Sequence, residues 1–200
     1  MNRFVCPASR LADLDEGRLR LSVVLDTGEL PPVDPRTEAV EAAGIDPEVL
    51  FDSAPEVYCE LPLRDDVSFR ILQLGELGLR AKVRCGGSVL PSVPALAGFV
   101  QACRRLEVPF KATAGLHQPL RHGDEHGFLN LLAAAVFGDE EEVLADEDAD
   151  SFGVSADSFR WRDRTADAYE IGRARELFVS FGSCSAQEPI DGLQALGMLP

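Results

Sequence analysis

Lys82 and Lys111 are the chain's only lysines, and each lies in a short apolar run that ends in glycine: Ala81-Lys82-Val83-Arg84-Cys85-Gly86-Gly87 and Phe110-Lys111-Ala112-Thr113-Ala114-Gly115. Arginine supplies all the rest of the 19 lysines and arginines. A lysine amine can lose its proton and act as a base or nucleophile, which a guanidinium cannot do. Desolvated among apolar neighbours and placed beside a second cation, such an amine can form a Schiff base with a carbonyl substrate. Side-chain alternation puts Lys82 with Arg84, and Lys111 with Thr113, on one face of their strands. Pairing of the two strands then gathers all four on one interior surface.

That cluster has two chemical readings. Two lysines and an arginine suit an anionic ligand, a phosphate or carboxylate held by charge-assisted hydrogen bonds. Alternatively, Lys82 and Arg84 tune Lys111 for covalent work, with Glu60 lining the same pocket. Against both stands a purely structural role, in which the lysines pair with buried carboxylates such as Glu60 or Asp26 and only hold the sheet together.

All three histidines, His117, His122 and His126, follow Lys111 closely. His117 falls two residues past Gly115, in a loop where it can serve as general acid or base. His126 and Asn130 are four apart, so a helix presents both on one face, either toward a pocket or with His126 serving only to cap the helix. The string His122-Gly-Asp-Glu-His126 fits the His-x-x-Glu-His form of some zinc peptidases. Its glycines break the regular helix that two zinc-binding histidines require, so no metal is assigned and no cofactor is expected. Two loops, Gly86-Gly87-Ser88 and Gly182-Ser183-Cys184-Ser185, are suited to a phosphate, with Ser183 and Ser185 as its anchors. Cys85 and Cys184 each stand where a loop begins and read as small buried hydrophobes or, alternatively, reactive thiols; a nucleophilic Cys85 needs Arg84 or Lys82 to lower its pKa.

The elements that position these residues read as strands and helices in alternation. Strands are expected over 18–26, 57–62, 79–85, 108–114, around 158–161 and over 176–181; helices over 37–43, 66–78 (weakly), 93–106, 126–137 and 166–175. Asp124 is the expected cap of the helix that starts at His126. This order predicts an α/β fold with a parallel sheet, and polar residues inside apolar strands point to a βα (TIM-like) barrel. Five strands are firm rather than eight, so the barrel is expected to be incomplete or irregular within one domain over 1–200. Neither a Gly-x-Gly-x-x-Gly sequence nor a Walker-type loop occurs, which argues against an open dinucleotide-binding sheet.

Composition sets outer limits. With 46% apolar and 26% charged residues the chain is of ordinary globular type. A formal net charge of −15 argues against nucleic acid as a partner and against a membrane surface. The acidic run Asp139, Glu140, Glu141, Glu142, Asp146, Glu147, Asp148 and Asp150 reads as a solvated face or loop. Five cysteines, odd in number and without a Cys-x-x-Cys pair, suit a reduced compartment, and a cytoplasmic location is expected.

The segments Lys82-Val-Arg-Cys-Gly-Gly, Phe110-Lys-Ala-Thr-Ala-Gly-Leu-His, His126-Gly-Phe-Leu-Asn and Phe181-Gly-Ser-Cys-Ser resemble blocks of a family of uncharacterised bacterial α/β-barrel proteins. The chain departs from that pattern at Gln118, where the family often carries a histidine, and at Ala186, often aromatic there. The resemblance implies shared architecture and a shared pocket. More loosely, Phe110 to Gly115 is similar to the Lys-Thr-Ser-Thr-Gly strand of class I aldolase barrels, which implies a Schiff-base role for Lys111.

The resulting expectation is an enzyme of lyase or aldolase type acting on a small anionic metabolite. Lys111, Lys82 and His117 are its catalytic residues; Arg84, Thr113, His126, Asn130, Glu60, Ser183 and Ser185 bind the substrate. The alternative is a noncatalytic anion-binding or assembly protein that forms homo-oligomers, with a metal-dependent hydrolase as a minor third.

Overall fold

The computed structural model describes residues 3–14, 17–30, 34–87 and 90–199. Seven strands form one all-parallel sheet: β1 (Phe4–Pro7), β2 (Leu21–Val24), β3 (Thr37–Ala43), β4 (Glu56–Glu60), β5 (Arg80–Arg84), β6 (Phe110–Thr113) and β10 (Phe178–Gly182). They lie side by side in chain order, and β10 pairs with β6. Three further strands, β7 (Phe152–Val154), β8 (Ser158–Trp161) and β9 (Arg164–Asp167), make a separate antiparallel sheet.

Helix α1 (Pro47–Leu50) links β3 to β4, α2 (Val67–Glu76) links β4 to β5, and α3 (Val93–Leu106) links β5 to β6. Between β6 and β10 come α4 (Phe128–Phe137), α5 (Glu140–Ala145), the small sheet and α6 (Ala168–Leu177); α7 (Gln187–Ala195) follows β10. Local chemistry sets several of these boundaries. Ser92 caps α3 through the Ala95 amide, Arg104 and Arg105 sit in its last turn, and Glu107 ends it in the left-handed region. Asp167 and Glu170 form a reciprocal capping box on α6.

The sheet is two-faced in an unusual sense. Its outer face carries Val40, Val57, Cys59, Ala81, Val83, Phe110 and Ala112, which join Leu74, Leu96, Phe99, Val100 and Leu131 of the helices in one apolar core. Its inner face carries Ser22, Glu41, Tyr58, Lys82 and Lys111, brought together by the strand register. Curvature makes this possible. In a flat sheet β3 and β6 would stand about 14 Å apart, at roughly 4.8 Å per strand. Yet Glu41 and Lys111 are in hydrogen-bond contact, and one cavity is lined from both the β1 and the β10 side. The result is a half-barrel flanked by helices, not the closed barrel of the TIM type.

Three further expectations need correcting. Thr37–Ala43 is strand β3, not a helix. Its glutamates and alanines favour a helix intrinsically, but Ala39, Val40, Glu41 and Ala42 are buried on both faces, and packing overrides propensity. Helix α4 starts at Phe128 with Gly127 as its cap, so Asp124 does not cap it. The acidic run is not merely a solvated face: Glu140 is buried against Arg104 at 2.7 Å, Glu142 pairs with Arg162, and Arg164 holds Asp139 at 2.6 Å. These arginines tie α5 to α3 and to the β8–β9 hairpin. Ser88 lies outside the described residues. Among the described residues no helix is long and apolar enough to cross a membrane.

Candidate functional site

Glu41 is the centre of the inner face, and it is 1% exposed. Its Oε1 accepts from Lys111 Nζ at 2.5 Å and from Ser22 Oγ at 2.6 Å, and its Oε2 lies 2.9 Å from Lys82 Nζ. Lys82 also reaches Glu60 Oε2 at 3.1 Å. Both lysines, 5% and 6% exposed, are therefore fully engaged with carboxylates. Burial raises the Glu41 carboxyl, but the charges of Lys111 and Lys82, with the hydrogen bonds from Lys111 and Ser22, hold it down at about 2. The carboxylate stays ionised at neutral pH. Lys111 Nζ also lies 5.1 Å from the ring centre of Tyr58, a cation–π contact.

A second ion cluster closes the N-terminal ends of the strands. Glu56 Oε2 accepts from Arg3 Nη1 at 2.5 Å and from the Tyr58 hydroxyl at 2.7 Å, and Arg80 lies 3.0 Å away. Arg80 also donates to the Tyr58 hydroxyl at 3.0 Å, while Glu38 takes Arg3 and Arg20. Burial and the bond to Glu56 push the Tyr58 hydroxyl up to about 12. Tyr58 is thus a fixed donor rather than a base.

Between the β1 and β10 sides of the half-barrel opens a cavity of about 650 Å³. Lys111, Ser22 and Tyr58 form part of its wall; Phe181, Ser183 and Ser185 form another part. Ser183 Oγ accepts from the Ser185 amide at 3.3 Å, and Ser185 Oγ accepts from the amides of Gln187 and Glu188 at 3.2 Å. Each hydroxyl is thereby left with its own hydrogen to donate.

The expected site residues divide into three groups. Lys82, Glu60 and Lys111 are brought together by Glu41, and Lys111, Ser183 and Ser185 line the cavity. Arg84 and Thr113 are register partners one step toward the C-terminal rim, and among the described residues Arg84 forms no ion pair. The third group points elsewhere. His126 is wholly buried, lying 2.8 Å from the Pro91 carbonyl and 3.4 Å from Arg121, and its pKa is lowered mainly by burial. Asn130 accepts from the Arg121 amide and donates to the carbonyls of Val143 and Asp146, each at 2.8 Å, so it ties α4 to α5. His117 turns to the rim, where its Nδ1 meets Glu188 Oε2 at 2.7 Å.

Sequence reasoning missed Glu41, Ser22 and Tyr58. A lone glutamate inside Ala-Val-Glu-Ala-Ala is the one available signal, and the helical propensity of that segment hides it. Asp26, the other carboxylate offered for a lysine, bonds Ser9 at the surface instead. Cys85 is buried, and burial pushes its thiol up to about 12, which leaves it inert. The chain matches no protein-family model, no curated protein and no solved structure.

Proposed function

We propose that the half-barrel cavity takes a small anionic carbonyl metabolite and acts on it through Lys111 by lyase or aldolase-type chemistry. The observation that carries this reading is that Lys111 belongs at once to the buried ion cluster and to the cavity wall. At rest the pair is ammonium and carboxylate. A ligand that displaces water from the cavity favours the uncharged pair, because low dielectric penalises separated charges. The proton then passes from Lys111 to Glu41. The free amine adds to the substrate carbonyl, and Glu41 returns the proton to the departing hydroxyl, so water leaves and an iminium remains. The iminium draws the electrons of the adjacent carbon–carbon bond onto nitrogen, while the restored Glu41 carboxylate accepts the β-hydroxyl proton. Glu41 then returns that proton to the carbon of the resulting enamine, and hydrolysis of the iminium so formed regenerates the lysine.

The anionic end of the substrate has donors in Ser183 and Ser185, whose hydroxyl oxygens accept from backbone amides and leave their hydrogens to donate, with Arg84 at the rim as a cation that forms no ion pair among the described residues. The strand Phe110 to Gly115, similar to that of class I aldolases, agrees with this role for Lys111. Borohydride trapping with a panel of aldehydes and ketones, followed by peptide mass analysis, is expected to label the Lys111 peptide. Absence of any adduct together with full activity of Lys111→Arg removes the covalent reading.

One observation favours a noncatalytic alternative, an assembly role. Strand β1 is a sheet edge with Phe4 48% and Val5 47% exposed, a surface suited to a second copy of the chain. A dimer in solution, with no stabilisation by any phosphosugar or keto acid in a thermal-shift screen, would place this reading first.

A further inference from the structure

His117, Cys184 and Glu188 converge at the rim although 67 residues separate the first two. Their ligand atoms all lie within 4.8 Å of one another. His117 Nδ1 is 2.7 Å from Glu188 Oε2 and 3.9 Å from Cys184 Sγ. Both partners therefore address the same ring nitrogen. A nucleophile, base and orienting-acid relay needs them on opposite nitrogens, so this is not a catalytic triad.

Convergence of one nitrogen, one sulfur and one oxygen on a common point is instead the pattern of a cation site. Two ligands of a tetrahedral zinc stand roughly 3.3–3.6 Å apart, given zinc distances of about 2.0–2.3 Å. The observed separations, 2.7 Å for nitrogen to oxygen and 3.9 Å for nitrogen to sulfur with none above 4.8 Å, lie on either side of those values. We propose that His117 Nδ1, Cys184 Sγ and the Glu188 carboxylate bind a zinc-like divalent cation, with the fourth position open. Binding releases the Cys184 thiol proton to solvent and moves the His117 proton to Nε2.

The backbone holds the three in place. Ala114 (φ 60) and Gly115 (φ 69) turn the chain sharply after β6, and a Cβ on Gly115 would stand 2.7 Å from the Cys85 carbonyl oxygen. His117 follows two residues on. Gly192 lets α7 pack on Pro119, since a Cβ there would meet Pro119 Cδ at 2.6 Å. Glu188 lies one helical turn before Gly192 and so shares the face that meets the His117 loop. The residues flanking Cys184, Ser183 and Ser185, line the large cavity, so the open coordination position belongs to its rim.

The site is independent of any chemistry at Lys111. Cobalt(II) titration of the full chain tests it directly. One equivalent is expected to give a near-ultraviolet thiolate-to-cobalt band with strong visible absorption of tetrahedral type, both abolished by zinc. Cys184→Ser should lose the near-ultraviolet band, and His117→Ala and Glu188→Ala should each weaken cobalt binding by about tenfold or more. Metal-free thermal unfolding of all three should match the parent, as the side chains are partly or well exposed. Lys111→Met should bind cobalt as the parent does. No thiolate band at stoichiometric cobalt, or a band that survives Cys184→Ser, overturns the proposal.

Discussion

Lys82 and Lys111 stand opposite each other in the register of β5 and β6, and one carboxylate, Glu41 on β3, takes both. Removing one member of such a buried set leaves uncompensated buried charge, whereas removing Glu41 and both lysines leaves only Glu60, which is partly exposed, without its partner. Glu41→Gln is therefore expected to destabilise the fold by about 3–5 kcal/mol. The triple replacement Glu41→Leu, Lys82→Met and Lys111→Met should cost clearly less than that single change. Urea denaturation of the two variants beside the parent checks the order. Equal losses would show that the cluster acts through packing rather than charge.

The same carboxylate sets a pH dependence. The usual value for glutamate is 4.5, and Glu41 is held down at about 2 by Lys111 and Lys82 against the cost of burial. Below pH 4.5 the unfolded chain takes up a proton that the folded carboxylate refuses. Its stabilisation is thus full above that pH and is lost as pH falls toward 2. Glu56, also held at about 2, adds to the slope, although its partial exposure weakens the contribution by solvent screening. Urea midpoints between pH 6 and pH 2.5 should fall steadily in the parent, and less steeply in Glu41→Gln.

How far the sequence reveals this arrangement depends on the range of the interactions concerned. Strand β5, helix α3 and strand β6 are legible because each has a clean apolar period and a glycine or charged stop. The lysines stand out for the same reason, as charges inside such runs. Strand β3 is not legible, because Glu and Ala speak for a helix and only burial on both faces reverses that. With β3 hidden, so was the carboxylate that unites the lysines. The contact of Cys184 with His117 and Glu188 has no local signature either, since it arises only when β10 is laid beside β6.

Thiol chemistry should separate one cysteine from the rest. Cys6, Cys59, Cys85 and Cys103 are buried, and Cys184 is exposed. Burial pushes the Cys59 thiol up to about 11 and that of Cys85 to about 12. In the folded protein a thiol reagent such as dithionitrobenzoate is expected to titrate Cys184 rapidly and the other four only after denaturant is added. Rapid reaction of a second thiol in buffer would mean that the core opens locally around it.

Glycine replacements offer a contrast within the loops that carry the site. A Cβ on Gly86 would stand 2.6 Å from Gly115 Cα and 2.8 Å from Gly115 N. Both are backbone atoms, so neither can swing aside. Gly86→Ala is expected to push apart the loops after β5 and β6 and to cost about 1–3 kcal/mol. Gly98, in the middle of α3, has nothing within 4 Å of its would-be Cβ. Gly98→Ala should therefore stabilise the protein by about 0.5–1 kcal/mol, since alanine loses less backbone freedom on entering a helix. Thermal unfolding of the two variants should shift in opposite directions. Because the Gly115 turn leads into His117, Gly86→Ala should also weaken cobalt binding at the rim, an effect that Gly98→Ala lacks.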